Sequence, residues 1–578
     1  MTDPKVWREE TAYLRGVSDA LRTELTGIDR RFAQGVTAAD DAAEESVRQM
    51  MESRYRLLRR TEGSPYFARV DYAEQNDGRV SGIKKKIYIG KASVYDADSN
   101  LLVTDWRAPV SGLYYDGRLG PASYDSPDGR IEGVMSLKRR LTVEGGALKG
   151  YDDIDVTATD ALLAPYLSVS ADTRLKDIIA TIQTEQNKII RADSRRPLIV
   201  QGAAGSGKTT VALHRIAYLT YNMGKRFRPE QFMVLSSGGF FLSYIAGILP
   251  DLGVEDVPQL SFEDLIRRYV KTPFRLYKPA DETEERDDGY RSSYEILSDI
   301  DAFLAAEAET GERKSPALPL YRRFLEQAGY AGARLTEEDL APLLYLRIRM
   351  VKISEPSVRH VVIDEAQDFS AMQLTVLQTL FKKASFTILG DLAQGIGPRG
   401  VKDWDEANRQ VWQGAATVLR LQKSYRATVE IMEAANRVLD RLPRLPKGKA
   451  VVRHGESVGL TDVWGEKDRA DACAGLIEKR KAQGYKNIAV LISGPSLCKG
   501  VSRLVKNVDN VFTTKDGQYE GGVCLLPAAL SKGLEFDSVI VADAERYAKD
   551  EYGTKLLYVA MTRAMHTLDV LYEGEPPF

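Results

Sequence analysis

Cysteine is scarce, with three in 578 residues. Cys473, Cys498 and Cys524 are odd in number, widely spaced and confined to the last fifth of the chain. That excludes a disulfide framework and a cysteine-built zinc site, and it fits a reducing compartment. Each is expected to be a small apolar core residue. Apolar runs of eighteen residues are also missing, so neither a membrane span nor a membrane partner is expected. The first residues, Met1-Thr-Asp-Pro-Lys5, are polar and lead into charged sequence rather than the apolar heart of a signal peptide. A cytoplasmic location is the expectation. Charge of one sign is lacking as well: the net charge is −2 and the pI about 6.3. Chains that live on a nucleic-acid backbone usually carry a basic excess. The balance therefore favours small-molecule or protein partners, with room left for a local basic groove. Hydrophobic residues at 43% and charged residues at 28% are ordinary for a globular protein, and the length suggests three to five domains.

What is present centres on Pro197-Leu-Ile-Val-Gln-Gly-Ala-Ala-Gly-Ser-Gly-Lys-Thr-Thr210. The apolar run 198–200 reads as a buried parallel strand, and 211–219 carries apolar residues at helical spacing. Gly202, Ala203, Ala204, Gly205, Ser206, Gly207, Lys208, Thr209 and Thr210 lie between them, matching a P-loop in its strand, loop and helix setting. Such a loop turns backbone N–H groups inward around phosphate oxygens, and the helix N-terminus adds partial positive charge. Lys208 is expected to reach the terminal phosphates of ATP, and the Thr209 hydroxyl to bind Mg²⁺.

Residues 4–61 are charge-rich with helical periodicity. Trp7, Tyr13, Leu14, Val17, Leu21 and Leu25 form one apolar stripe. Gln34-Gly35 breaks it, and Thr37 with Asp40 reads as the cap of a second helix running to Arg60. The expectation is an antiparallel hairpin of helices about 35–40 Å long. Asp40, Asp41, Glu44 and Glu45 would sit at its tip, either as capping acids or as an acidic surface for a partner or metal. Residues 63–150 turn to short strands at 66–72, 86–90 and 101–104, with turn signals at Asn76-Asp77-Gly78 and Pro127-Asp128-Gly129. Aromatics crowd 105–116 beside the basic clusters 84–86 and 138–140. They read as the core and solvated edge of a small antiparallel β module rather than a nucleic-acid surface.

A helix over 177–190 leads into the P-loop strand, and its Gln186 could offer an amide to both edges of adenine. Residues 232–236 form a second buried strand, followed by helix through Phe241, Ile245 and Leu249. The stretch 264–356 interrupts the pattern. It holds the acidic run Asp281-Glu-Thr-Glu-Glu-Arg-Asp-Asp288, a solvated loop by composition, and helical patterns at 294–309, 321–328 and 340–351. His360-Val-Val-Ile-Asp-Glu-Ala-Gln-Asp368 then ends a strand in two carboxylates. Asp364 suits Mg²⁺, and Glu365 suits orientation or deprotonation of an attacking water. The strand 386–390 leads to Asp391 and Gln394, the latter placed to sense a γ-phosphate. The second half opens at 417. It carries Ser424-Tyr425-Arg426, a helix at 428–440, short strands at 488–492, 523–526 and 538–542, and the motifs Lys532-Gly-Leu-Glu-Phe536 and Val559-Ala-Met-Thr-Arg-Ala564. Arg426 and Arg563 supply permanently charged, planar groups suited to a transferring phosphoryl.

Together these seven ordered signatures resemble the UvrD/Rep/PcrA-like superfamily 1 helicases over 180–263 and 357–578. The resemblance implies an α/β chain with two RecA-like P-loop NTPase domains and ATP between them. It implies Gln186 and Tyr425 at the adenine, Glu535 in its Lys-Gly-Leu-Glu motif with Gly533 near the ribose, and Arg426 and Arg563 at the γ-phosphate. The catalytic set would be Lys208, Asp364, Glu365, Gln394, Arg426 and Arg563, with Mg²⁺ on Thr209 and Asp364. The domains read as a hairpin arm (1–62), a β-rich module (63–175), the first RecA-like domain (176–263 and 357–416) with a helical insertion (264–356), and the second RecA-like domain (417–578).

Further motifs, Ser64-Pro-Tyr-Phe67, Asp105-Trp-Arg-Ala-Pro-Val-Ser111, Leu113-Tyr-Tyr-Asp116, Leu119-Gly-Pro-Ala-Ser-Tyr124 and Ile182-Gln-Thr-Glu-Gln-Asn-Lys-Ile-Ile190, resemble the HelD family of RNA-polymerase-associated ATPases. That resemblance implies a monomer that binds core RNA polymerase, opens it with its arm and insertion, and promotes release of nucleic acid and polymerase recycling. The alternative is a UvrD-like DNA helicase or translocase of repair, with DNA as partner. Two departures weigh against translocation. Only 106 residues run from Arg426 to Lys532, enough to continue one α/β domain but not to hold the large domain helicases place there. Gly395-Ile-Gly-Pro-Arg-Gly400 stands where those enzymes grip single-stranded DNA with aromatics, and Ser236-Gly-Gly238 lacks their stacking ring. Stacking is worth roughly 1–3 kcal/mol per base.

Overall fold

The structure is a computed structural model. It describes all residues except 1–2, 34–41, 77–78, 81–82, 127–128, 155–181, 225–226, 237–247, 277–289, 311–315, 398, 452, 496–507 and 513–520. Its described residues fall into two compact units: 1–192 with 213–225 and 245–255, and 193–212 with 226–244 and 256–578.

In the first unit, two helices, Pro4–Ala33 and Ala42–Thr61, precede an eight-stranded, mostly antiparallel sheet. The apolar stripe of the first helix forms as the periodicity predicts, and it is buried. Leu14, Val17, Leu21, Leu25 and Ile28 pack with Tyr66, Tyr88, Val103, Leu141 and Val143 of the β module. Glu10, fully buried, fixes that docking: one carboxylate oxygen accepts from Arg69 Nη1 and Arg139 Nη1, each at 2.8 Å, and the other from the Tyr88 hydroxyl at 3.0 Å. The first helix is therefore bound to the sheet through much of its length, not held out as half of an arm.

The two helices also touch each other: Glu24 pairs with Arg54 at 2.9 Å, Asp29 with Arg59 at 3.7 Å, and the rings of Phe32 and Tyr55 meet at 6.0 Å. The Thr37 cap and the acids Asp40 and Asp41 fall outside the described residues. In the β module Trp106, Tyr114 and Tyr115 are buried, so the aromatics are core.

Among the described residues, the second unit contains two six-stranded parallel sheets and a two-stranded one, Lys423–Ser424 with Lys449–Ala450. The first has the order Gln259–Ser261, Phe232–Ser236, His360–Ile363, Ser385–Gly390, Leu198–Gly202, Thr417–Leu421. Every residue of strands 198–202, 232–236 and 360–363 is buried. Strands covered on both faces read as continuous apolar runs, which is why the sequence shows them plainly. The last strand is a correction. Residues 417–421 were expected to open the second half, but Thr417 pairs with Leu198 and Leu421 with Gly202, extending the P-loop sheet. Its burial is patchy because it is an edge strand, so its pattern carries no mark of the sheet it joins.

Helices Phe262–Val270, Glu295–Thr310, Ala317–Gln327 and Leu340–Val351 intervene between strands 259–261 and 360–363. The acidic run 281–288 lies outside the described residues. The second sheet runs Gly459–Asp462, Ala564–Tyr572, Phe536–Val541, Ile488–Ile492, Val523–Pro527, Asn510–Val511. Both sheets and the inserted helices contribute to one continuous apolar core.

Candidate nucleotide site

Strand Leu198–Gly202 ends in the Gly-rich loop, and helix Lys208–Asn222 begins at once. Gly205 and Gly207 have φ of +71° and +80°, a backbone that side chains resist. At Gly205 a Cβ would also lie 2.5 Å from Arg426 Cβ and 2.7 Å from Ser424 Oγ. The loop tip is thus close-packed against the Ser-Tyr-Arg segment, and the Tyr425 N–H donates to Gly205 O at 2.9 Å. Lys208, 7% exposed, donates to Gly202 O at 3.0 Å. The Thr209 hydroxyl donates to Asp364 Oδ2 at 2.7 Å, joining the P-loop helix to the carboxylate strand.

Glu365 has φ of +52°, uncommon for a residue with a side chain and characteristic of functional sites. Its N–H donates to Asp364 Oδ1 at 2.8 Å, and its carboxylate accepts from Gln367 Nε2 at 2.6 Å. Burial, and then the charge of Glu365, push the Asp364 carboxyl up. Burial acts the same way on Glu365, but Lys532, Lys208, the Gln367 bond and Arg563 outweigh it and hold that carboxyl low. One acid of the pair is stabilised as an anion at the expense of its neighbour.

A second network sets Gln394. The Gln201 amide donates to Asp391 Oδ1 at 2.9 Å and accepts from Trp404 Nε1 at 2.7 Å and the Leu392 N–H at 3.2 Å. Asp391 Oδ2 accepts from Gln394 Nε2 at 2.7 Å, which aims Gln394 Oε1 outward. That oxygen accepts from Arg563 Nη2 at 2.6 Å. Arg563 lies at the junction of helix Glu551–Met561 and strand Ala564–Tyr572, 2% exposed. Burial and the neighbouring Arg426 pull its guanidinium down to about 10, so it stays charged at neutral pH. Arg426, ion-paired with Glu535, is the second cation beside it.

Lys208, Thr209, Asp364, Glu365, Gln394, Arg426 and Arg563 thus lie in one unit and are tied to one another through the contacts above. Tyr425 adjoins the loop by its backbone. Glu535, expected near a ribose, forms an ion pair with Arg426, and Gly533 holds φ of +84° beside it. Gln186 belongs to the first unit, where its side chain accepts from the Gln183 N–H at 3.1 Å and caps helix Thr184–Ile190. The sequence reading missed Gln201, Gln367, Asp368, Asp391 and Lys532. Each lies within or beside a motif already singled out, and no spacing rule marks it.

The loop of N–H groups, the Thr209–Asp364 pair and the facing arginines fit a nucleoside triphosphate with Mg²⁺ on Thr209 and Asp364. A Cβ at Gly400 would lie 2.0 Å from Gln367 O, and Arg399 pairs with Glu338 of the inserted segment. The first unit's motif residues serve packing. Asp105 holds Arg107 in a bidentate pair at 2.8 and 2.6 Å, and Asn187 donates to Asp116 at 2.5 Å.

The family model for the DNA helicase IV HelD N-terminal domain matches residues 7–163, and that for the UvrD-like helicase C-terminal domain matches 523–571. The ATP-dependent DNA helicase PcrA of Staphylococcus epidermidis (strain ATCC 35984) is 22% identical over 352 residues, 54% of this chain and 48% of its own. PcrA of Staphylococcus aureus (strain Mu50) is 23% identical over 358 residues, 54% of this chain and 47% of its own. The chain thus spans about half the length of the curated relatives it matches. A solved C-terminal domain of a possible DNA helicase from Lactobacillus plantarum WCFS1 aligns at 26% identity over 26% of this chain and 89% of its own, with a TM-score of 0.21. The chain is thus similar over 7–163 to the HelD N-terminal domain, over 523–571 to the UvrD-like helicase C-terminal domain, and over about half its length to PcrA helicases.

Proposed function

We propose that this protein is a Mg²⁺-dependent ATPase of the HelD type, which binds core RNA polymerase and promotes release of nucleic acid and polymerase recycling. The observation that carries the ATPase reading is the joining of the P-loop to the carboxylate strand by Thr209 and Asp364, with Arg563 brought from the second sheet onto Gln394. Lys208 would exchange its loop carbonyl for the terminal phosphates, and the Thr209 and Asp364 oxygens would hold the metal. Bound Mg²⁺ would supply charge neutralisation at the phosphate oxygens. Glu365, kept anionic by its basic surroundings, would orient the attacking water, with Gln394 beside it. Arg563 and Arg426 would move from Gln394 and Glu535 to the γ-phosphate. Tyr425 would hold the base, and Glu535 and Gly533 would lie by the ribose. In this reading the two sheets are two RecA-like lobes.

The polymerase reading rests on the HelD match over 7–163. It is favoured over DNA translocation by the short 426–532 segment and by the engagement of Arg399 with Glu338. The PcrA relatives are named as DNA helicases, and that activity is the second reading. Steady-state ATP hydrolysis is measured alone, with single-stranded DNA and with core RNA polymerase. Stimulation by polymerase is the expected result. Strong stimulation by DNA together with strand separation would overturn it in favour of the helicase. A Lys208→Ala variant that strips DNA from polymerase yet remains bound would assign ATP to release of the factor.

A further inference from the structure

Lys532 lies in the loop between strands Val523–Pro527 and Phe536–Val541 of the second sheet, and its side chain reaches the first. Its ammonium donates to both oxygens of Asp368 at 2.6 Å each and to Gln394 O at 3.0 Å. An ammonium has three donors, and all three are spent on the partner sheet's loops. The pair is largely withdrawn from water, the side chains of Lys532 and Asp368 being 14% and 19% exposed. The loop that carries Lys532 is rigid in its own right: Ser531 Oγ donates to Ala528 O at 2.6 Å and the Leu534 N–H to Ser531 O at 3.0 Å.

Gln394 is therefore gripped twice from the second sheet, at its carbonyl by Lys532 and at its side chain by Arg563. On the reading above, Arg563 gives up its contact to phosphate when nucleotide binds. Lys532 also lies 3.7 Å from Glu365, but its three hydrogen bonds go to Asp368 and Gln394 and not to the P-loop. Its contact joins the loop after the carboxylate strand, by Asp368, to the loop after the next strand, by Gln394. Parting the two sheets requires that it break.

We propose that Lys532 and Asp368 form a latch across the two sheets, so that Lys532 is a positioning residue that governs release of bound nucleotide. The inference rests on the ATP reading of the site, and the test separates the two. A fluorescent N-methylanthraniloyl-ADP is bound to the full chain with Mg²⁺ and chased with excess ADP in a stopped-flow instrument. Dissociation is expected to be about tenfold faster in Lys532→Met, the middle of the range for coupled contacts. Asp368→Asn should speed it similarly, and the double variant should be no faster than Lys532→Met alone. Lys532→Arg, which keeps the charge, should restore most of the slow rate. Lys532, 3.7 Å from Glu365, also helps to hold that carboxyl low, so kcat is expected to fall as well, and the dissociation rate is the readout that assigns the latch. Equal dissociation from intact chain and Lys532→Met, or additive effects in the double variant, would overturn the latch alone, provided binding is lost in Lys208→Ala. Failure of the intact chain to bind the probe would overturn the ATP reading and the latch with it.

Discussion

Gln201 is the point where the account can be pressed hardest without touching nucleotide. It lies one residue before the Gly-rich loop, 5% exposed, and its amide makes three hydrogen bonds. Replacing it with leucine keeps the volume and removes all three. The Trp404 indole N–H and the Leu392 N–H are then left in a buried site without that acceptor, and Asp391 loses one of the donors that orient it. Each orphaned buried group costs about 1–3 kcal/mol. Allowing for partial relaxation, Gln201→Leu should destabilise the second unit by about 2–5 kcal/mol. The kinetic consequence follows from geometry. Asp391 aims Gln394, and Gln394 meets Arg563. The variant should therefore lose kcat by about tenfold or more while KM for ATP changes little, because an interaction made only in the transition state has been disturbed. Denaturant unfolding and steady-state ATPase kinetics check both. A Gln201→Leu protein with unaltered stability and kcat would refute the network as the device that places Gln394.

Three further outcomes follow from the same physics. Gly205→Ala puts a side chain at φ of +71° and 2.5 Å from Arg426 Cβ, so nucleotide binding by equilibrium titration should weaken by at least tenfold. Glu10→Ala leaves Arg69 and Arg139 with only Asp71 and Asp153, and the first unit should lose about 3 kcal/mol in denaturant unfolding. Burial pushes the Asp543 carboxyl up to about 7, although the Ser493 hydroxyl and N–H donate to it. Because the folded form holds the proton more tightly than the unfolded one, Asp543 favours folding at low pH, and this contribution is lost as pH rises towards 7. Asp543→Asn should therefore reduce the fall in stability between pH 5 and pH 8 measured by thermal unfolding.

The sequence shows clearly whatever is buried on both faces. Strands 198–202, 232–236, 360–363 and 488–492 are continuous apolar runs and were placed within a residue or two of where they lie. The edge strand 417–421 was assigned to the wrong sheet because only its neighbour, Leu198–Gly202, reveals where it belongs. The stripe on helix Pro4–Ala33 gave its buried face but not its partner. A stripe has no address, and it was Glu10 meeting Arg69 and Arg139 that fixed the helix to the β module. At the candidate nucleotide site, the residues of the ordered motifs can be named from the chain alone. Gln201 and Lys532 act through contacts that span 190 and 164 residues, to Asp391 and Asp368 respectively. Chemistry that depends on such pairings appears only in three dimensions.

The central claim is that a triphosphate is held by the P-loop and completed by an arginine from the second sheet. Its most direct test compares ATP affinity and single-turnover hydrolysis in the intact protein and in Arg563→Ala. The account predicts that ATP still binds within a few fold while hydrolysis falls by about 10³ or more, as removal of a charge-completing arginine does. Hydrolysis at the intact rate in Arg563→Ala would contradict it.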